Sequence, residues 1–114
     1  MPTAVLDRAF EALANPHRRA IVDRLADGPL TTPELGTAFD ITKQALSRHV
    51  HVLESAGLIA RRPHGRVHEL RLRPEPLDEI AEWTTLRRRA WEANLDRLDA
   101  VLSDPPDHRE ETER

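Results

Sequence analysis

The sequence predicts a mainly α-helical domain of about five helices with one small β-hairpin, and three observations support that prediction. Apolar residues recur every three or four positions along most of the chain, which places them on one face of a helix. Aromatic residues make up only 4% of the 114 residues, so a core must be built mainly from Leu, Ile, Val and Ala. Two short alternating runs flank a turn that contains Pro and Gly, which is typical of a β-hairpin.

The first two helices are delimited by local signals. The first covers about residues 4–13 and carries four apolar residues at helical spacing: Leu6, Ala9, Phe10 and Leu13. Asn15 followed by Pro16 predicts an N-cap and a first helical position. The helix they open ends near Gly28. These two segments are therefore expected to be consecutive helices joined by a very short turn.

Residues 31–58 predict a short helix, a turn of about three residues and a second helix. Thr31 and Glu34 have the spacing of a capping box, which starts the short helix. Thr42 can cap the second helix, which runs to about Ala56. Two helices joined in this way form a helix-turn-helix, the arrangement that places its second helix in the DNA major groove.

The remaining segments are a hairpin, a long helix and a tail. Extended runs over about residues 58–62 and 67–72 are joined across residues 63–66. A long helix is expected over about residues 77–102. We expect one domain over residues 1–103, followed by a disordered tail over residues 104–114, because that tail is rich in proline and charge.

Positive charge is concentrated in one part of the chain. Residues 41–73 hold seven Lys or Arg residues and two Glu residues, which leaves this stretch with a charge of +5. Because the whole chain carries −3, the remainder carries −8. One basic segment on an acidic body is the distribution expected if a single face meets phosphate.

The second helix of the pair offers side chains that can read DNA once its apolar stripe faces inward. Lys and Arg can donate to guanine, Gln can pair with adenine, and Ser or Thr can bind either a base or a phosphate. The hairpin tip can reach across the phosphate backbone or place an arginine in the minor groove. The alternative is a merely solvated helix face and an ordinary charged turn. The predicted DNA-contacting residues are Thr42, Lys43, Gln44, Ser47, Arg48, His51, His64 and Arg66.

The long last helix carries two apolar stripes. One includes Trp91 and the other includes Trp83, Leu86 and Ala90. Two stripes suggest one face for the domain itself and another for a partner. The alternatives are that both stripes are buried within the chain, or that the two tryptophans line a small-molecule pocket.

Several stretches, in this order, resemble the ArsR/SmtB family of winged helix-turn-helix repressors. They are residues 13–18 (LANPHR), 42–52 (TKQALSRHVHV) and 53–59 (LESAGLI), and the hairpin followed by PEPL at 74–77. The resemblance covers about residues 6–102. It implies a recognition helix at about 42–56 and a wing at about 58–72. It also implies a double-stranded DNA operator, a homodimer formed by the first and last helices, and repression relieved by a signal. The expected dimer-interface residues are Leu6, Phe10, Leu13, Trp83, Trp91, Leu95 and Leu98.

The resemblance leaves the signal open. Metal-sensing members of the family carry cysteines at the start of the short helix, here residues 31–35, and this chain has no cysteine. The last helix contains no histidine, and His49 and His51 are two apart, so they point to different sides of their helix. We therefore expect no metal and no cofactor, with a histidine-based metal-responsive repressor as the alternative. An organic effector, a partner protein and the protein's own concentration are the other candidate signals.

Other classes of protein fit the sequence less well. It has no glycine-rich phosphate loop, no HExxH motif and no cysteine nucleophile, so we expect no enzyme activity. No apolar run approaches the roughly 18 residues of a membrane span. With no signal peptide recognisable, we expect a cytoplasmic protein without a membrane partner. A winged-helix module that binds protein instead of DNA would expose a neutral or apolar recognition helix, which the Lys and Arg residues of this helix disfavour.

Overall fold

The computed structural model describes residues 2–103, and it confirms the predicted winged-helix architecture. Within these residues there are five helices and a three-stranded antiparallel sheet: α1 (Pro2–Leu13), α2 (Pro16–Ala26), β1 (Leu30–Thr31), α3 (Thr32–Thr37), α4 (Lys43–Ser55), β2 (Ile59–His64), β3 (Val67–Leu72) and α5 (Glu75–Leu102). The chain divides into two compact units, one up to Ala81 and one from Glu82 onward. The tail expected at residues 104–114 lies outside the described residues.

The first unit is built around one apolar core to which nearly every element contributes. Its largest fully buried side chains come from α2, α3, α4, the segment before β2, and β3: Ile21, Leu35, Leu53, Leu58 and Leu70. Burial of one such side chain contributes about 1.5–3 kcal/mol. Because both helices of the helix-turn-helix share this core with the sheet, their relative placement is fixed by packing.

The predicted N-caps of α2, α3 and α4 are present. The Asn15 side chain accepts hydrogen bonds from the backbone N–H groups of His17 and Arg18, at 2.8 and 3.2 Å. Thr31 and Glu34 form the full capping box, and hydrogen bonds from Thr31 lower the pKa of the Glu34 carboxyl. The Thr42 hydroxyl accepts from the N–H of the third residue of α4 at 3.0 Å. These caps explain why the helix starts are readable from a few consecutive residues.

Asn15 offers a test of this capping. We expect Asn15→Ala to lower the free energy of unfolding by about 1–2 kcal/mol, since two N–H groups at the start of α2 lose their acceptor. Asn15→Asp keeps an acceptor oxygen and is the matched control, expected to stay close to wild type. Urea denaturation followed by circular dichroism measures both. Equal midpoints for wild type and Asn15→Ala would show that the cap contributes nothing.

A glycine ends the recognition helix. Gly57 has φ +76°, and the N–H groups of Gly57 and Leu58 donate to the carbonyl oxygens of Glu54 and Leu53, both at 2.9 Å. This is the Schellman arrangement, in which a left-handed residue satisfies the last helical carbonyls. It turns the chain directly from α4 into the buried start of β2.

The sheet differs from the prediction in two ways. β2 continues to His64, so the turn between β2 and β3 consists of Gly65, at φ +64°, and Arg66 instead of four residues. Pro63 is tolerated within β2 because β2 is an edge strand of the order β1-β3-β2. The strand β1 was not predicted, because two residues are too short to show alternation. It pairs with β3, with Leu30 opposite Leu70.

The two outer helices expose apolar side chains. In α1 the buried residues are Ala9 and Ala12, whereas Phe10 is 41% exposed. In α5 Pro76 is buried, and every side chain from Ala81 to Leu102 is exposed. Both apolar stripes of this helix therefore include exposed large side chains in the protomer, Trp91 on one and Trp83 on the other. No helix among residues 2–103 has the length and apolarity needed to cross a membrane.

Candidate nucleic-acid interface

The recognition helix α4 presents a polar face to solvent. Its buried residues are Val50 and Leu53, which fix the side that faces the core. The cap and the exposed surface of α4 hold all six predicted DNA-contacting residues of this segment: Thr42, Lys43, Gln44, Ser47, Arg48 and His51. Backbone N–H groups without helical partners at the start of α4 add a positive dipole end that favours a phosphate. This face can therefore both read bases and bind the DNA backbone.

The hairpin of β2 and β3, here called the wing, places two further predicted residues at its tip. His64 ends β2 and Arg66 lies in the turn, and both are exposed. The positive φ of Gly65 lets the chain reverse within two residues. The tight reversal gives Arg66 a protruding position suited to a phosphate or a minor groove.

Ion pairs divide the seven basic residues of residues 41–73 into two groups. Four lie within 4 Å of a glutamate: Arg61 (to Glu54, 2.7 Å), Arg62 and Arg71 (to Glu69, 3.6 and 3.8 Å) and Arg73 (to Glu75, 3.6 Å). Lys43, Arg48 and Arg66 form no ion pair with any residue in the described part of the chain. These three are therefore the cations that can bind DNA without giving up a carboxylate partner.

The pair between Arg61 and Glu54 joins the wing to α4. Two guanidinium nitrogens of Arg61 donate to the two carboxylate oxygens, at 3.1 and 2.7 Å. The hydrogen bonds to Glu54 raise the pKa of Arg61. Both side chains remain about one-third exposed, so the pair adds little stability. Its planar, two-bond geometry connects β2 to the C-terminal half of α4.

Five exposed residues of α4, here called the reading face, are Lys43, Gln44, Ser47, Arg48 and His51. His49 lies on another side of the helix. Its ring stacks on His17 of α2 with 5.5 Å between centroids, and its Nδ1 atom is 3.4 Å from a guanidinium nitrogen of Arg18. Burial lowers the pKa of His49, and electrostatic interactions, the largest of them with the guanidinium of Arg18, lower it further. Among the residues that the structure describes, no three His, Asp or Glu side chains come together as metal ligands would.

A groove of about 630 Å³ opens between α3, α4 and the sheet. Leu35 and Leu46 contribute apolar surface, and Lys43 and Ser47 of the recognition helix contribute polar groups. Neither Trp83 nor Trp91 lines this groove. The two tryptophans lie on α5 instead, where Trp83 packs under the guanidinium of Arg87 at 5.1 Å.

The predicted dimer-interface residues fall on two helices. In α1, Leu6 and Leu13 are half-buried and Phe10 is exposed. In α5, four apolar side chains are 40–62% exposed: Trp83, Trp91, Leu95 and Leu98. Exposed large apolar groups on each helix are typical of surfaces that a partner covers.

Sequence reasoning assigned no functional role to Arg18. Its guanidinium contacts two carbonyl oxygens of α1 and the ring of His49. Arg18 belongs to the LANPHR stretch, which is local, whereas His49 is 31 residues away in the chain. No pattern of residue spacing in the sequence predicts the contact between Arg18 and His49.

Part of the chain matches a known domain family. Residues 13–62 match the model of the family described as "Helix-turn-helix domain". The HTH-type transcriptional regulator Rv2034 of Mycobacterium tuberculosis is 48% identical over 66 residues, which are 56% of this chain and 62% of that protein. The match therefore spans less than two thirds of the length of that relative.

Two further comparisons cover more of the molecule. The arsenical resistance operon repressor of Escherichia coli is 30% identical over 95 residues, which are 82% of this chain and 78% of that protein. The crystal structure of an ArsR family transcriptional regulator superimposes with a TM-score of 0.74 at 36% identity, covering 79% of this chain and 93% of that chain. Likeness in both sequence and fold thus extends from the helix-turn-helix into the flanking helices.

Proposed function

This chain belongs to the ArsR/SmtB family of helix-turn-helix transcription regulators, and from that premise we propose that it represses transcription as a homodimer bound to an inverted-repeat operator. It is a DNA-binding transcription regulator and not an enzyme. The observation that supports the proposal most directly is the exposed face of α4, where Lys43 and Arg48 form no ion pair within residues 2–103. Gln44 and Ser47 lie on the same face and supply the hydrogen-bonding groups that base recognition needs.

The proposed contacts divide by chemistry. Lys43, Gln44 and Arg48 read base edges in the major groove, while Thr42 and Ser47 bind the adjacent backbone. At the wing tip Arg66, with His64 beside it, binds phosphate or enters the flanking minor groove. His51, near the C-terminal end of α4, meets the backbone.

We propose that the dimer forms through apolar residues of α1 and of α5. Phe10 on α1 and Trp91, Leu95 and Leu98 on α5 present large exposed apolar surface, which is costly to leave in water. In a twofold dimer the two recognition helices enter successive major grooves about 34 Å apart. The operator is then an inverted repeat with half-site centres about one helical turn apart.

The signal and the cellular setting belong to the same proposal. Residues 1–103 serve as the DNA-binding and dimerisation domain, and a target on the chromosome places the protein in the cytoplasm.

A ligand in the groove between α3 and α4 would compete with DNA directly, because Lys43 and Ser47 belong both to this groove and to the DNA-binding surface. The protein needs no metal for this mode of regulation.

A gel shift with the DNA just upstream of the protein's own coding sequence tests the proposal. We expect a discrete complex of two protomers that resists competitor DNA and weakens steeply with rising salt, because phosphate neutralisation releases counterions. If only smearing appears, selection from a random DNA pool is the second arm. Recovery of an inverted repeat from the pool would show that the operator lies at another place in the genome. Recovery of no preferred sequence would contradict the proposal.

A further inference from the structure

Arg18, in the first turn of α2, makes a three-way junction between helices. Its Nε donates to the carbonyl oxygen of Ala12 at 2.6 Å and its Nη2 to that of Glu11 at 3.2 Å. Its Nη1 lies 3.4 Å from Nδ1 of His49 on the recognition helix. One side chain therefore contacts the end of α1 and the middle of α4 at the same time.

The chemistry of each contact requires these residue types. The last four carbonyl oxygens of a helix have no partner within it, and Arg18 takes two of those at the end of α1. Arg19 takes a third, since its Nη1 donates to the carbonyl oxygen of Leu13 at 2.7 Å. Only a planar guanidinium offers three donors in fixed, divergent directions. Since arginine only donates, a hydrogen bond at this contact has Nδ1 of His49 as its acceptor and forms with the neutral imidazole protonated at Nε2.

The position of His49 gives this junction control over the recognition helix. The fully apolar anchors of α4, Val50 and Leu53, lie in its C-terminal half. His49 is half-buried and follows directly after Arg48 of the reading face. A contact here limits rotation of α4 about its own axis, which determines where the side chains of the reading face point.

We infer that Arg18 is a positioning residue for DNA reading: through His49 it locks the rotation of the recognition helix to the C-terminal end of α1. This inference rests on the proposed operator binding, in which α1 also takes part in the dimer. Loss of the contact between Arg18 and His49 leaves the positive charges of the reading face of α4 in place. Binding to random DNA is therefore retained, while the geometry needed for base contacts is lost.

Matched variants separate this role from general stability. His49→Phe keeps a ring against His17 and removes the acceptor, whereas His49→Asn keeps an acceptor at the place of Nδ1. Arg18→Lys keeps the charge but not the three-way geometry. Arg19→Lys disturbs an α1 carbonyl in the same way without reaching α4, and is the control.

The measurement is fluorescence anisotropy with the selected operator and with random DNA of equal length, on variants that sediment and unfold like wild type. We expect His49→Phe and Arg18→Lys each to bind the operator about tenfold more weakly, the effect of one lost charge-assisted hydrogen bond. His49→Asn, Arg19→Lys and all affinities for random DNA are expected to stay within about twofold of wild type. The double variant of Arg18→Lys and His49→Phe should bind like either single one, because both remove the same contact.

Different outcomes overturn different claims. If wild type forms no discrete operator complex, the proposed function fails before the variants are considered. If wild type binds but His49→Phe binds equally well, or if operator and random DNA lose affinity in parallel, the inference about Arg18 is wrong. Additive losses in the double variant would equally show that Arg18 and His49 act separately.

Discussion

Replacing Leu95 by arginine is expected to convert the dimer into a folded monomer and to weaken operator binding at least about 100-fold. Leu95 is 40% exposed in the protomer, so a longer polar side chain is tolerated there. In the proposed dimer the same position is covered by apolar surface of the partner. An unpaired charge at that place costs several kcal/mol, which exceeds what the remaining contacts can offset. A monomer then holds one half-site and loses the gain from binding both at once.

The control for this prediction is Ala100→Arg. Ala100 lies five residues further along α5 and about 140° around the helix from Leu95, so the same charge is added to another face. Ala100 is also exposed. Sedimentation velocity gives the oligomeric state, circular dichroism the helix content and anisotropy the operator affinity. If the Leu95→Arg protein stayed dimeric, the assignment of α5 to the dimer interface would be wrong.

Gln44→Ala is expected to relax base preference at one symmetric pair of operator positions. A bidentate amide contact to adenine is worth about 1–3 kcal/mol of discrimination in each half-site. In a dimer both half-sites lose it, so the largest loss of affinity falls on the optimal operator. Operators that already carry the wrong base at that position should bind the variant and wild type alike. Competition with a set of single-base operator variants measures this.

Arg66→Ala at the wing tip is the matched contrast. Loss of a phosphate contact should weaken binding to all sequences by a similar factor. It should also reduce the slope of log affinity against log salt concentration by about one for each protomer. If Arg66→Ala instead altered the preferred sequence, the wing would read the minor groove. If Gln44→Ala weakened all sequences alike, Gln44 would be a backbone contact and the assignment of the reading face would need revision.

The sequence by itself determined the order and type of the helices and the exposed face of α4. The caps at Asn15, Thr31 and Thr42 join atoms of residues two or three positions apart, so a short stretch of sequence is enough to predict them. The apolar spacing of α4 likewise fixes which side is buried, and the polar side follows. The strand β1 escaped because two residues have no periodicity and its pairing is set by β3.

Only the tertiary structure decided which cations are free of ion pairs within residues 2–103 and which side chains contact the recognition helix. In the sequence, the seven cations of residues 41–73 are equivalent, but four of them meet a glutamate in the fold. Arg18 and His49 are 31 residues apart and meet because α2 and α4 pack on a common core. Helix periodicity and capping act over a few residues, so they are legible in the chain. Ion pairs and helix junctions depend on where separate elements converge, and only the packed core fixes those positions.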